Sequence, residues 1–281
     1  MKESQKETPT SLRPNNQYLL ARIAQLPAHS RSLDFGCGSG ALVGAARSQG
    51  LEAYGAETFY EGLRQEDADL SRAWGCDETI IRQIKAGHID FPDNYFDLVV
   101  HNQVFEHVED LQQASIEIQR VLKLGGVMIG IFPTRGVLRE SHLGLPCVHW
   151  FPPGKARNLC ARITRSLGFG FDFWGEGNAW FESGFAFLDD YVFYRSRKTI
   201  ASVLNSSFAL KYTEPEWLAF RVPRFKWMLS LPGGTTCARQ FSRVMAGVVM
   251  EATSRKAATS EARDRPVMLG SWQNAPVDLA K

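Results

Sequence analysis

Ser32-Leu33-Asp34-Phe35-Gly36-Cys37-Gly38-Ser39-Gly40-Ala41-Leu42-Val43 is the stretch on which the reading of this chain turns. A short apolar run, Leu33 to Phe35, meets three glycines at alternate positions and then Ala41, Leu42, Val43, Ala45 and Ala46. Apolar runs on either side of a glycine break predict a buried strand, a tight turn and the first turns of a helix. Glycine accepts positive φ and lets backbone approach a ligand with no Cβ between them. The helix that starts there points its free N–H groups at whatever lies over the turn. The stretch therefore predicts the nucleotide-contacting corner of an α/β domain.

Two ligand classes use such a corner. Gly36-x-Gly38-x-x-Ala41 satisfies the dinucleotide fingerprint, and Glu57 follows about twenty residues later, where an acid holds ribose hydroxyls. Asp34, two residues before the first glycine, separates the classes. A carboxylate at the strand tip repels a diphosphate, but it suits a ligand that carries a sulfonium and an ammonium group. The alternative role for Asp34 is a capping acid at a turn. With this acid leading into Gly36-x-Gly38-x-Gly40, the chain resembles the class I S-adenosylmethionine-dependent methyltransferases.

The resemblance extends along residues 30 to 132. Leu51 to Glu57 reads as a second strand ending in an acid, and in that family such an acid accepts from both ribose hydroxyls. Pro92-Asp93-Asn94-Tyr95-Phe96-Asp97-Leu98-Val99-Val100 is similar to the family's entry into its fourth strand. Lys123-Leu124-Gly125-Gly126 running into an apolar strand at Val127 to Phe132 is another family mark. The sequence departs from the pattern after its weak third strand, near Ile80 to Ile84. Many relatives place an aspartate there for the adenine amino group, but this chain has Lys85, Ala86, Gly87 and His88. Backbone groups of Ala86 to His88 are the remaining source of that contact.

The resemblance implies S-adenosylmethionine as cofactor, held by Asp34, Gly36, Cys37, Gly38, Gly40, Glu57, His88 and Asn102. His101-Asn102-Gln103-Val104-Phe105-Glu106-His107-Val108 follows the fourth strand, where relatives carry a similar Glu-His-Val beside the methionine end of the cofactor. His107 has a pKa range suited to taking a proton from an acceptor hydroxyl; its alternative role is to order the loop. His142 and His149 flank Gly144-Leu145-Pro146 and are further candidates for the same base, or else structural histidines. No His-x-x-x-His with a nearby acid suggests a metal site.

The remaining organisation follows from pattern. Residues 1–28 read as a polar tail and a helix from Asn15 to Leu26, capped by Asn15 or Asn16. Residues 29–132 form the cofactor-binding core, with helices expected at Tyr60 to Trp74 and, capped by Asp110, at Leu111 to Leu122. The strand–helix alternation stops at 133–190. Arginines on a helix from Lys155 to Leu167 and eleven rings between Phe169 and Tyr194 fill this segment, and its glycines argue against one long helix. It reads as an acceptor-binding insertion whose rings stack on a sugar or build its own small core. Residues 191–253 complete the core, with a helix through Ile200 and Leu204 and strands at Phe208 to Tyr212 and Val244 to Thr253. Within it, the basic, aromatic segment 215–243 docks on the domain or lies on an anionic bilayer surface. Residues 254–281 read as a flexible tail.

The expected fold is a doubly wound, Rossmann-like sheet of seven strands with the last antiparallel, plus aromatic-rich insertions. Of the 281 residues, 44% are hydrophobic and 22% charged, ordinary for a soluble protein, and the net charge of +2 gives no nucleic-acid footprint. Five cysteines at unpatterned positions suit reduced thiols in a cytoplasmic protein. No apolar run approaches the roughly 18 residues of a membrane helix. The expected reaction is methyl transfer to an oxygen, less favourably a nitrogen, of a small-molecule, sugar, or glycan- or lipid-linked acceptor. The rival readings are a nicotinamide-dependent oxidoreductase or sugar-modifying enzyme, carried by the dinucleotide fingerprint alone, and a non-catalytic scaffold on the same fold.

Overall fold

The computed structural model describes residues 12–58 and 74–255. The helix expected at Tyr60 to Trp74 and the tails before residue 12 and after residue 255 lie outside them. Helix α1 spans Pro14–Ile23, strand β1 Arg31–Phe35, helix α2 Ala41–Ser48, strand β2 Glu52–Glu57 and strand β3 Ile81–Gln83. Strand β4 (Phe96–Asn102), helix α3 (Leu111–Val121) and strand β5 (Leu122–Phe132) follow. Beyond them come helices α4 (Lys155–Ser166), α5 (Gly177–Tyr191) and α6 (Arg197–Leu204), then strand β6 (Phe208–Tyr212). Helices α7 (Glu214–Arg221) and α8 (Gly234–Met245) precede the last strand, β7 (Val248–Ser254).

The seven strands form one sheet in the order β3-β2-β1-β4-β5-β7-β6. The first five are mutually parallel, and β7 runs antiparallel to both β5 and β6. This is the expected doubly wound architecture with an antiparallel last strand.

Central parallel strands are covered on both faces, so they read as near-continuous apolar runs. Residues 96–101 of β4 are all buried. One face packs Leu33, Phe96, Ile118, Met128, Phe132, Ile200 and Leu204 together, and α3 and α6 lie on it. The other packs Tyr18, Leu19, Leu42, Leu98, Val100, Ile129 and Trp217, and α1, α2 and α7 lie there. Two buried ion pairs lock element junctions. The Arg22 guanidinium of α1 meets Glu251 of β7 at 2.7 Å, and Asp97 accepts from Lys123 Nζ at 2.9 Å and from the Arg31 N–H at 2.9 Å.

Several boundaries differ from the sequence expectation, for physical reasons. Helix α1 begins at Pro14, with no side-chain cap from Arg13. Proline at the first helical position needs none of the missing N–H, so neither Asn15 nor Asn16 caps the helix. Helix α5 forms through Gly177 and Gly184 despite their flexibility. At Gly184 an added Cβ would stand 2.6 Å from Leu143 Cδ2, so close packing against the segment before it fixes this glycine. Segment 133–190 contributes no strand to the sheet and has its own core of Leu143, Leu145, Val148, Ala161, Trp180 and Leu188. Among the described residues no helix is long and apolar enough to cross a membrane, and all five cysteines are free.

His101 of β4 is fully buried, its ring stacked 3.8 Å from that of Phe105, and neither ring nitrogen has a hydrogen-bond partner among the described residues. Burial pushes its pKa down to about 3. A histidine that is neutral when folded but titrates near pH 6.5 when unfolded gives stability that is complete above that pH and drains as pH falls towards 3. The expected loss at pH 5 is about 2 kcal/mol. Urea denaturation of wild type and His101→Phe at pH 7.5 and pH 5 checks this: the variant gains on the wild type by that amount at the lower pH.

Candidate active site

The strand order reverses direction between β1 and β4, and a doubly wound sheet opens its ligand crevice at the carboxyl ends of the strands on either side. A cleft of about 630 Å³ lies there. Its walls are Phe35, Gly36 and Gly38 after β1, Glu57 and Thr58 at the end of β2, Ile84, Ala86 and Gly87 after β3, Gln103, Val104 and His107 after β4, and the first residues of α3.

The glycine turn takes the shape its residues imply. Gly36, Gly38 and Gly40 have φ of 74°, 52° and 75°. A Cβ on Gly36 would stand 2.5 Å from Val104 Cγ2, so the turn and the loop after β4 meet only because residue 36 has no side chain. The Gly38 N–H donates to Glu57 Oε2 at 2.7 Å, and the Thr58 N–H donates to Oε1 at 2.7 Å. The β2 acid is thereby fixed at the rim beside the turn. Asp34 lies just behind that wall, 7% exposed. Burial, reinforced by the nearby Glu57 charge, pushes its carboxyl well above the usual carboxylate range. A carboxyl group kept there with no neutralising partner among the described residues is a ready site for a cation.

The remaining predicted cofactor residues divide. Cys37 lies in the same turn but packs its sulfur against β2, where a Cβ on Gly55 would be 2.6 Å from Sγ. Gly40 caps α2. Asn102 does not line the cleft: its amide accepts from Asn15 at 3.0 Å and donates to Asn16 at 2.9 Å, locking α1 to the end of β4. The His88 ring faces outward and its Nδ1 lies 3.0 Å from Glu117 Oε2, while the backbone of Ala86 and Gly87 lines the cleft. Ala86 and Gln103 both hold positive φ, 48° and 58°. Non-glycine residues in that region cost energy and concentrate at functional sites.

The insertion meets the cleft wall at His107. His142 Nε2 lies 3.1 Å from His107 Nε2. His107 Nδ1 faces the Tyr191 carbonyl at 2.8 Å, and His142 Nδ1 faces Glu140 Oε1 at 2.8 Å. Glu140 is fully buried and also accepts from the Tyr194 hydroxyl at 2.6 Å and from the His142 and Leu143 N–H groups. Burial alone would raise its pKa, but these donors hold it below the usual value. Burial lowers the pKa of His107 and raises that of Tyr194. His149 stands behind this group, its ring 4.9 Å from that of Tyr194, and burial lowers its pKa as well.

Sequence reasoning missed Glu106, Glu140 and Tyr194. Glu106 is 2% exposed, and its carboxylate oxygens have no partner in any other described residue. Burial pushes its pKa up to about 8. Glu106, His107 and His142 offer ligand atoms within 4.8 Å of one another, a juxtaposition that a 35-residue separation conceals from any spacing rule. Segment 215–243 stays away from the cleft: α7 buries Trp217 and Leu218 against the sheet, while Trp227, Phe241 and Met245 are exposed.

Asp34 provides a test that needs no ligand. Its ionised form is penalised in the folded chain, a cost that appears as pH rises above the unfolded value near 4 and is constant above the raised folded value. Asp34→Asn removes the cost, so the ligand-free variant melts above wild type at pH 7. The gap closes below pH 4, and thermal melts at the two pH values read it.

Comparison with known proteins agrees with this geometry. Residues 33–130 match the family model described as a methyltransferase domain. The chain is 28% identical over 108 residues to the uncharacterized methyltransferase YcgJ of Bacillus subtilis, covering 38% of this chain and 42% of that protein. It is 34% identical over 110 residues to the malonyl-[acyl-carrier protein] O-methyltransferase of Enterobacter lignolyticus, covering 38% and 41%. The match thus spans about two fifths of the length of these curated relatives. Among solved structures, an S-adenosylmethionine-dependent methyltransferase from Mesorhizobium loti shares the fold, with a TM-score of 0.50 at 16% identity over 83% of this chain and 95% of that one. Residues 33–130 thus match a methyltransferase domain, and the sheet has the fold of a solved S-adenosylmethionine-dependent methyltransferase.

Proposed function

We propose that this chain moves a methyl group from S-adenosylmethionine to an oxygen of a small-molecule, sugar, or glycan- or lipid-linked acceptor, in the cytoplasm. The observation that carries the reading is the pairing of two acids with one glycine turn: Asp34 buried behind it, Glu57 fixed at its rim. Two carboxylates beside the turn oppose a diphosphate and suit a cationic nucleoside.

Bound S-adenosylmethionine supplies an electrophilic methyl carbon on a sulfonium sulfur. The chain's own work is then alignment, exclusion of water and removal of one proton. Asp34 balances the positive charge at the methionine end. Glu57 accepts from the ribose hydroxyls, and the backbone of Ala86 and Gly87 faces the adenine. His107, on the cleft wall and backed by His142 and Glu140, stands where an acceptor hydroxyl gives up its proton.

Oxygen is preferred over nitrogen because a hydroxyl needs such a base at neutral pH and the site has built one. The relative of Enterobacter lignolyticus is itself named as an O-methyltransferase. The insertion suits a sugar-bearing acceptor. It brings His142 against His107 on the cleft wall and leaves Trp150, Phe151 and Tyr191 exposed, with the Tyr191 carbonyl holding His107. Ring faces of this kind stack on the apolar faces of sugars.

Isothermal titration tests the reading. S-adenosylhomocysteine binds the wild type, nicotinamide dinucleotides do not, and Asp34→Asn and Glu57→Gln each weaken binding about 10- to 100-fold. Tight dinucleotide binding with no response to S-adenosylhomocysteine contradicts it.

A further inference from the structure

The geometry points to a divalent transition-metal site formed by Glu106, His107 and His142, with its open coordination positions facing the acceptor end of the cleft. The inference deepens the methyl-transfer reading, and it rests on that reading only for what the ion would do.

The hydrogen-bond pattern around the two imidazoles is the first observation. His107 Nδ1 lies 2.8 Å from a carbonyl and His142 Nδ1 lies 2.8 Å from a carboxylate, and both partners accept. Each Nδ1 therefore carries the proton, which leaves each Nε2 with a lone pair. The two lone pairs face each other at 3.1 Å, an arrangement that needs a cation between them. Metal-bound histidines characteristically donate their second ring nitrogen to a carbonyl or carboxylate, and both halves of that arrangement are already built here.

The distance itself is the second observation. Two nitrogens about 2.05 Å from one ion stand about 2.9 Å apart at a right angle and about 3.3 Å apart at a tetrahedral angle. The observed 3.1 Å falls between these limits. The Glu106 carboxylate is the third observation: buried, without a partner in any other described residue, and within 4.8 Å of both nitrogens. Completing the set takes a movement of this carboxylate towards the two nitrogens, about the side chain's own torsions.

Two imidazoles and a carboxylate suit zinc, iron(II), cobalt(II) or manganese(II), not magnesium or calcium, which prefer oxygen alone. Glu106 and Glu140 together balance the charge of a divalent ion. Three protein ligands leave a position open, as catalytic zinc sites do. His107 lines the cleft, so that position meets the acceptor's nucleophilic atom. A Lewis acid there lowers the pKa of an acceptor hydroxyl, and with His107 Nε2 bound to the ion the proton leaves to solvent instead of to His107. Glu140 is a positioning residue that fixes the His142 ring.

The competing arrangement is a single proton shared between His107 and His142, neutralised by Glu140, with Glu106 uncharged. Titration of chelator-treated full-length protein with Zn²⁺ by calorimetry, and with Co²⁺ by visible absorption, separates the two. The metal site predicts one ion per chain and the d–d bands of a four- or five-coordinate cobalt. Glu106→Gln and His142→Ala then weaken binding more than 100-fold, and Glu140→Gln 10- to 100-fold. Binding of S-adenosylhomocysteine by each variant shows that it is folded. Absence of stoichiometric binding, or affinity unchanged in the Glu106 and His142 variants, overturns the inference. Stoichiometric metal with no S-adenosylhomocysteine binding upholds the metal site and removes the methyl-transfer reading instead.

Discussion

A carboxyl group buried inside the protein at the end of the central strand is the constraint from which the rest of this structure follows. Asp34 sits at the carboxyl end of β1, buried, with the Glu57 charge beside it. Such a group is costly in a folded chain unless a cation comes to it. The surroundings keep it in place: β1 is hydrogen-bonded on both sides, to β2 and β4, and the glycine turn directly after it is pinned to β2 by the Gly36 N–H on the Ala56 carbonyl at 2.8 Å. Strand order, turn and acid thus define one pole of the cleft.

A segment that contributes nothing to the sheet backs the cleft wall at His107. Residues 133–190 have their own small core, and the benefit of that separate core is the delivery of one loop, Glu140 to His142, to the end of β4. Glu140 is the hub. Its two oxygens gather a histidine ring, a tyrosine hydroxyl and two backbone N–H groups within a buried space. Charge-assisted hydrogen bonds in such a setting order a loop strongly, because leaving any donor or acceptor unpaired there is expensive. This loop is consequently a rigid constellation on a scaffold of its own.

The fold was legible in the sequence because its signals are local. An apolar run broken by Gly36, Gly38 and Gly40, and an aspartate capping Leu111, each act within a few residues, and Asp110 does accept from the Gln113 N–H at 2.9 Å. The parallel strands announced themselves as unbroken apolar runs. The helix start at Pro14 was misjudged because Asn15 and Asn16, good caps by type, are engaged by Asn102 86 and 87 residues away. The site was legible only where the backbone forms it. Glycines and strand-end acids declare themselves by spacing, whereas Glu106 and Glu140 look like ordinary surface acids until the chain is folded. His107 was found through its family motif, but its partner, His142, comes from a segment without regular pattern. Tertiary contacts of that range leave no periodic trace.

The most direct measurement is a crystal structure of the chain with S-adenosylhomocysteine. The account predicts the amino-acid end of the ligand at the Asp34 carboxylate, the ribose hydroxyls on Glu57, the adenine against the backbone of Ala86 and Gly87, and the sulfur turned towards His107. A ligand that leaves Asp34 and Glu57 untouched, or a glycine turn that takes up only a diphosphate, contradicts it.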